Sequence, residues 1–287
     1  MKPKLKKNLA TAIKIAISAV LIWLVFSKMD WKQIGELLWT VNLFYFFLAI
    51  VFFLLSQIIS IIRFDVFIRK IGIRMSFGVN AQLYLLGMFY NFFLPGGVGG
   101  DAYKVYLLNK SHQKSLKKIG ELIFIERFIG VLAIGFMACI ILFLMSAPFG
   151  EIWNFSAGIL GIILTLVAIK LLVRYLHSHK KRVHLVFGYS LMVQLAQLLS
   201  VFFILSAFHI KDSYLIYMFL FLVSSVLSVI SFAGIGIREA VFFYGGQWFG
   251  FNPDVSAGIA LTFSLFGAVV SFFGIIYLFK PIGLKNK

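Results

Sequence analysis

Between Val41 and Ile62 the chain holds no charged residue at all. A helix of about 20 predominantly apolar residues is what the roughly 30 Å hydrocarbon core of a bilayer requires. Mainly apolar runs of similar length lie at Leu9–Phe26, Ile119–Met145, Phe155–Val173, His184–Phe208 and Ser256–Phe279, interrupted by Lys14 in the first, by Glu121, Glu126 and Arg127 in the second and by Lys170 in the third. The sequence is 61% hydrophobic and 13% charged, against roughly 45–50% and 25% in soluble domains. These runs predict an all-α polytopic membrane protein, residues 1–287 forming a single integral membrane domain with room for about eight crossings. Lys2, Lys4, Lys6 and Lys7 precede the first run with no small-residue cleavage pattern, so the first helix is expected to stay as an anchor.

A net charge of +17 in a soluble protein would suggest nucleic acid. Here the basic residues cluster beside apolar runs, at Lys2–Lys7, Arg69–Arg74, Lys110–Lys118, Arg174–Arg182 and Lys280–Lys287. Retention of Lys and Arg on the cytoplasmic side accounts for that placement, so nucleic acid is not an expected partner. The same rule places both termini in the cytoplasm of a multi-pass inner-membrane protein. Cys139 is the only cysteine, and His177, His179 and His184 sit among Lys and Arg that would repel a cation. No metal and no cofactor is expected.

Two stretches break the apolar pattern. The first, Asn91-Phe92-Phe93-Leu94-Pro95-Gly96-Gly97-Val98-Gly99-Gly100-Asp101, places a proline and four glycines inside an apolar region; the second, Ser231 to Phe243, carries Gly234-Ile235-Gly236 followed by Arg238 and Glu239. Backbone that leaves the helix at membrane depth is tolerated only where protein or water surrounds it. A dinucleotide or Walker reading of the first stretch fails, because no strand precedes it and no Gly-Lys-Ser/Thr follows.

The basic clusters flanking the first stretch belong to one side of the membrane, which predicts a re-entrant hairpin over residues 77–109. The second stretch must begin and end on the opposite side, which predicts another over residues 214–251. The chain then divides into two inverted-topology repeats, about 8–147 and 154–280, each of three spans plus a re-entrant broken-helix hairpin. Inverted repeats with Gly/Pro-interrupted segments at matching positions are the sequence pointer to a transporter with its site at the bilayer midplane.

The run from Asn91 through Leu94-Pro95-Gly96 to Asp101-Ala102-Tyr103-Lys104, the Glu126-Arg127 pair and the later Gly234-Ile235-Gly236-Ile237-Arg238-Glu239 together resemble the flippase-like family. That family includes the membrane portion of lysylphosphatidylglycerol synthases, the multiple peptide resistance factors. The resemblance covers nearly the whole chain. It implies an inner-membrane protein that moves or handles a lipid or a lipid-linked headgroup. The aminoacyl transfer of those larger proteins belongs to a soluble domain for which this chain is expected to have no room. Partners implied are membrane lipids, whether anionic, zwitterionic or aminoacylated phospholipid or lipid-linked sugar, together with a second copy in a homodimer or a separate lipid-modifying enzyme.

Ionisable groups inside a membrane cost about 2.5–3.5 kcal/mol each on insertion scales, so they face a bundle interior or a wet cavity and pair there. The candidate substrate-binding set is Asn91, Pro95, Gly97, Gly99, Gly100, Asp101, Lys104, Glu126, Arg127, Gly234, Gly236, Arg238 and Glu239. Lys104, Arg127 and Arg238 suit phosphate oxygens; Asp101, Glu126 and Glu239 suit an amine. Both signs together fit a zwitterionic or aminoacylated headgroup better than a simple anion. The same residues would serve a structural role by pairing with one another. Asp101 and Glu239 are the expected proton carriers of a gradient-driven translocator; Asp101, Glu126 or Glu239 would be the base of an integral membrane transferase, the alternative activity; a non-catalytic partner of a separate enzyme would need none of them. Arg63 and Asp65 read as interfacial anchors, with lining of the entry path as the alternative, Gln194 and Gln197 as helix-to-helix hydrogen bonds, and Gly246 and Gly250 as packing glycines.

Overall fold

The computed structural model describes residue 35 and residues 39–93, 99–145, 150–176, 180–230, 236–280 and 282–284. The first apolar run, Leu9–Phe26, and the glycine corners at Pro95, Gly97 and Gly234 lie outside the described residues. Those residues form helices and no strands: α1 Leu43–Ile68, α2 Phe77–Phe93, α3 Gly99–His112, α4 Leu116–Leu144, α5 Glu151–Tyr175, α6 Lys180–Ala207, α7 Tyr214–Ile230, α8 Ile237–Phe249, α9 Pro253–Phe272 and α10 Ile276–Phe279. Among the described residues five segments are long and apolar enough to cross a membrane: Leu43–Ile71, Leu116–Leu144, Glu151–Tyr175, Lys181–Ala207 and Pro253–Phe279.

The helices outrun the apolar runs that announced them. The Val41–Ile62 run continues as helix α1 to Ile68 and ends in a 3-10 turn, Arg69–Ile71, stopped by left-handed Gly72 at φ +78°. Its start is fixed by Asn42, whose Oδ1 accepts from the N–H groups of Phe44 and Tyr45, satisfying donors that a helix N-terminus leaves orphaned. Asn252 opens α9 in the same way, through the N–H groups of Asp254 and Val255. Hydropathy cannot mark such ends, because a capped polar turn extends a helix past its apolar stretch.

The central pair is α1 with α6. The Asn42 N–H donates to the Ala207 carbonyl at 3.0 Å, the Ser200 hydroxyl to the Ala49 carbonyl at 2.8 Å, and Arg63 Nη1 to Ser190 Oγ at 3.1 Å. Partners falling in α6 as they rise in α1 make the pair antiparallel. Phe53, Phe221 and Phe263, from α1, α7 and α9, close the main apolar cluster around them.

Among the described residues α2, α3, α7 and α8 are each shorter than the roughly 20 residues that a crossing takes. At about 1.5 Å per residue, the 14 residues of α3 and the 13 of α8 fall well short of 30 Å. Each folds back on its predecessor. In α2 and α3 the Gly100 N–H donates to Asn91 Oδ1 at 2.8 Å, the Lys104 stem crosses Gly87, and Leu83 and Leu108 share one core, an antiparallel register held along the pair. In α7 and α8, Gly245 abuts Leu220 and the Tyr217 and Phe242 rings meet at 6.2 Å. The pairs are cross-braced: α7 packs on α4, and α2 on α9 and the 3-10 turn Phe273–Ile275.

Several glycines act through size. A methyl group on Gly100 would overlap the Gly87 carbonyl, and one on Gly274 would overlap the Leu85 carbonyl. The packing role expected of Gly246 is seen against Ser256 and Pro253. Gly250 is a correction: nothing lies within 4 Å of its missing Cβ, and φ +76° makes it the left-handed stop of α8.

Candidate functional site

Where α1, α2, α3, α4, α6, α7 and α8 converge they leave a cavity of about 340 Å3. It lies among helices of both halves of the chain. Asn91, Asp101, Lys104, Glu126 and Arg127 line it from one half, and Arg238, Gln194, Gln197, Ser225 and Ser228 from the other.

Helical geometry sorts the charges. Glu126 and Arg127 are neighbours on α4, so their side chains diverge. Glu126 turns to α1, where its Oε1 lies 2.6 Å from Arg63 Nη2. Arg127 turns to α3, where its Nε pairs with Asp101 Oδ2. The other Asp101 oxygen lies 3.7 Å from Lys104 Nζ, one turn along the same helix. Asp101, Lys104 and Glu126 are each at least nine-tenths buried. Asp101 also occupies the first turn of α3, where a negative charge is stabilised by the helix dipole. The adjacent Asn91 amide takes one orphan N–H of the same turn.

Aromatic faces complete the cationic side. Lys104 Nζ lies 5.1 Å from the Phe64 ring centroid and 4.9 Å from that of Tyr84. The Arg238 guanidinium lies 5.1 Å from Phe221 and 4.8 Å from Phe263. Such contacts hold a desolvated cation in place. Among the described residues Arg238 forms no salt bridge, and its Nε is buried without a hydrogen-bond partner.

Not every expected residue reaches the cavity. Glu239 is fully buried and absent from the lining; its Oε2 accepts the Gly236 N–H at 2.8 Å, closing the first turn of α8. Gly236 supplies the left-handed φ of +93° from which that helix starts. Gly99 and Gly100 open α3, and the visible role of Gly100 is its close approach to α2 rather than a turn. Pro95, Gly97 and Gly234 fall outside the described residues.

Other residues enter the lining whose first reading from sequence was different. Arg63, expected as an interfacial anchor, lines the cavity and pairs with Glu126. It lies past the apolar run, and only the extension of α1 carries it inward. Asp65 does behave as an outer residue, pairing along the helix with Arg69 at 2.7 Å. Gln194 and Gln197, read as helix-to-helix bonds, face the cavity instead, and the Gln194 Oε1 is buried with no partner among the described residues. A polar residue on an apolar helix was the available signal; it does not say which face is wet. Among the described residues no cluster of His, Cys, Asp and Glu could hold a metal ion.

The model of the family described as the lysylphosphatidylglycerol synthase TM region matches residues 11–185 and 174–274. A UPF0104 membrane protein of Pyrococcus horikoshii is 27% identical over 174 residues, which are 59% of this chain and 48% of that protein. The match thus spans about half the length of that curated relative.

Proposed function

The chain belongs to the lysylphosphatidylglycerol synthase transmembrane-region family, and we propose that it translocates a lipid headgroup across the bacterial inner membrane, the headgroup passing through the charged cavity while the acyl chains stay in the bilayer. The observation that carries the proposal is the cavity's dual origin. Asp101 and Lys104 from one helical hairpin and Arg238 from the other line the same space, as a midplane transporter site between two repeats requires.

Two further features support an inverted repeat. The α1–α6 pair is antiparallel, as equivalent spans related by an axis in the membrane plane would be. The cross-bracing is reciprocal: α4 meets the α7 arm while α9 meets the α2 arm. In this reading α2–α3 and α7–α8 are re-entrant from opposite sides, the repeats cover about 8–147 and 154–280 of one domain, and the termini are cytoplasmic. Rocking of one half on the other, about the α1–α6 contact, gives alternating access.

A transferase would need a free base at the reacting group. Asp101 and Glu126 are each engaged by a cation, so neither stands free to reach a reacting group, and Glu239 does not line the cavity. Translocation asks only for binding and release.

The test is reconstitution of the purified protein into liposomes carrying lipids labelled on the acyl chain, with transfer between leaflets followed by chemical quenching of the outer label. Accelerated transfer over protein-free vesicles is expected for at least one headgroup. Rates equal to protein-free vesicles for every headgroup would rule the proposal out.

A further inference from the structure

Lipid headgroups differ chiefly in charge and in hydrogen-bonding groups, and the cavity is selective in both. Among the described residues four cationic side chains line it, Arg63, Lys104, Arg127 and Arg238, against two carboxylates, Asp101 and Glu126. Both carboxylates are already engaged, Glu126 by Arg63 and Asp101 by Arg127 and Lys104. An ammonium group would therefore have to displace a buried cation and leave it uncompensated, a change that is strongly unfavourable. An anion meets no such obstacle. The lining carries two more positive charges than negative ones, and one excess charge remains even if Glu239, next to Arg238 in the chain, is counted.

The second observation concerns neutral groups. Gln194 is 5% exposed, lines the cavity, and has a buried amide oxygen without a partner among the described residues. An unmet buried amide is costly and is relieved by a group that enters the cavity. Ser225 and Ser228 lie on the neighbouring α7 and also line it; their hydroxyls donate to the Phe221 carbonyl at 2.9 Å and the Ser224 carbonyl at 2.7 Å, so their oxygens remain as acceptors. An amide both donates and accepts, as a hydroxyl does, whereas a quaternary ammonium offers neither. A primary ammonium would also donate to these oxygens, so it is the excess positive charge of the lining, taken together with them, that matches this polar face to hydroxyl groups.

We infer that the lipid carried has an anionic phosphodiester headgroup with free hydroxyls, of the glycerol or sugar type, and is neither zwitterionic nor aminoacylated; Arg238 takes the phosphate and Gln194 a headgroup hydroxyl. The inference rests on the translocation proposed above and reverses the expectation drawn from the bare presence of both charge signs. It uses the arrangement of those charges: the negative ones are spent on internal pairs.

The experiment compares initial transfer rates in proteoliposomes of the full chain for acyl-labelled phosphatidylglycerol, phosphatidylethanolamine, phosphatidylcholine and lysylphosphatidylglycerol. Phosphatidylglycerol is expected to move about tenfold faster than the other three, as the loss of one hydrogen bond to a charged group would give. Gln194→Leu, which removes the amide but keeps the side chain's bulk, is expected to lower the phosphatidylglycerol rate roughly fivefold, within the range of a single neutral hydrogen bond, with its melting temperature in detergent no lower than that of the wild type. Lysylphosphatidylglycerol or phosphatidylethanolamine moving as fast as phosphatidylglycerol would overturn the headgroup assignment and leave translocation standing. Acceleration of none of the four would overturn translocation itself. A wild-type phosphatidylglycerol rate in a folded Gln194→Leu protein would remove Gln194 from the assignment.

Discussion

Arg63 of α1 and Glu126 of α4 meet at 2.6 Å with both side chains largely shielded from solvent, a link between two long helices that also forms part of the cavity wall. Removing one partner of a buried pair strands the other charge, at a cost of about 3–5 kcal/mol. Arg63→Ala should therefore lower the melting temperature in detergent sharply, and Arg63→Met with Glu126→Met should recover most of the loss. Arg69→Ala is the control, since Arg69 is half exposed in its pair with Asp65 and such pairs contribute under about 1 kcal/mol. Equal losses in Arg63→Ala and Arg69→Ala would show that the inner pair bears no structural weight.

Glycines divide by what surrounds them. Gly100→Ala and Gly274→Ala would each drive a methyl group into a backbone carbonyl, which cannot rotate away, so each should cost about 1–3 kcal/mol or more. Gly120 lies inside α4 with nothing within 4 Å, and Gly120→Ala should stabilise by roughly 0.5–1 kcal/mol through backbone entropy. Thermal unfolding of the three variants is the check; a neutral Gly100→Ala would contradict the close contact of α2 and α3.

Glu239 is predicted to act as a cap. Gln retains an oxygen that can accept the Gly236 N–H, so Glu239→Gln should keep both stability and transport, while Glu239→Leu should lose about 1 kcal/mol, the usual value of a helix N-terminal cap. Transport abolished in a stable Glu239→Gln protein would instead restore the proton-carrier role expected from sequence.

How much was legible beforehand follows from these cases. Apolar length located the long helices, and the glycine-rich stretches located the broken pairs, because both signals reflect what a bilayer forbids. Asp101, Lys104, Glu126, Arg127 and Arg238 stood out for the same reason, as charges with nowhere to go. Pairing was not legible: two adjacent residues, Glu126 and Arg127, serve different helices, and only the packing of α4 decides which. For Arg63 the anchor reading gave way to the alternative, a place in the lining, because α1 continues as helix to Ile68, beyond its apolar run. Gln194 was misjudged because a helix-to-helix bond and a cavity face look alike in sequence.

The orientation of the two hairpins makes a separate prediction. In a Cys139→Ala background, Arg74→Cys and Lys114→Cys flank α2–α3, Asp212→Cys precedes α7 and Trp248→Cys sits in the last turn of α8, all at exposed positions. Membrane-impermeant thiol reagents should label the first two from the cytoplasmic face and the last two from the opposite face. All four labelling from one face would be incompatible with inverted re-entrant hairpins.

The most direct measurement takes one cation from each hairpin. Initial rates of phosphatidylglycerol transfer are compared for the wild type, Lys104→Met and Arg238→Met, in vesicles of equal protein content and with melting temperatures recorded for each. Both variants are predicted to fall at least about tenfold toward the protein-free rate while staying folded, as loss of a charged hydrogen bond to a phosphate implies. A wild-type rate in either folded variant would contradict a headgroup path shared by the two hairpins.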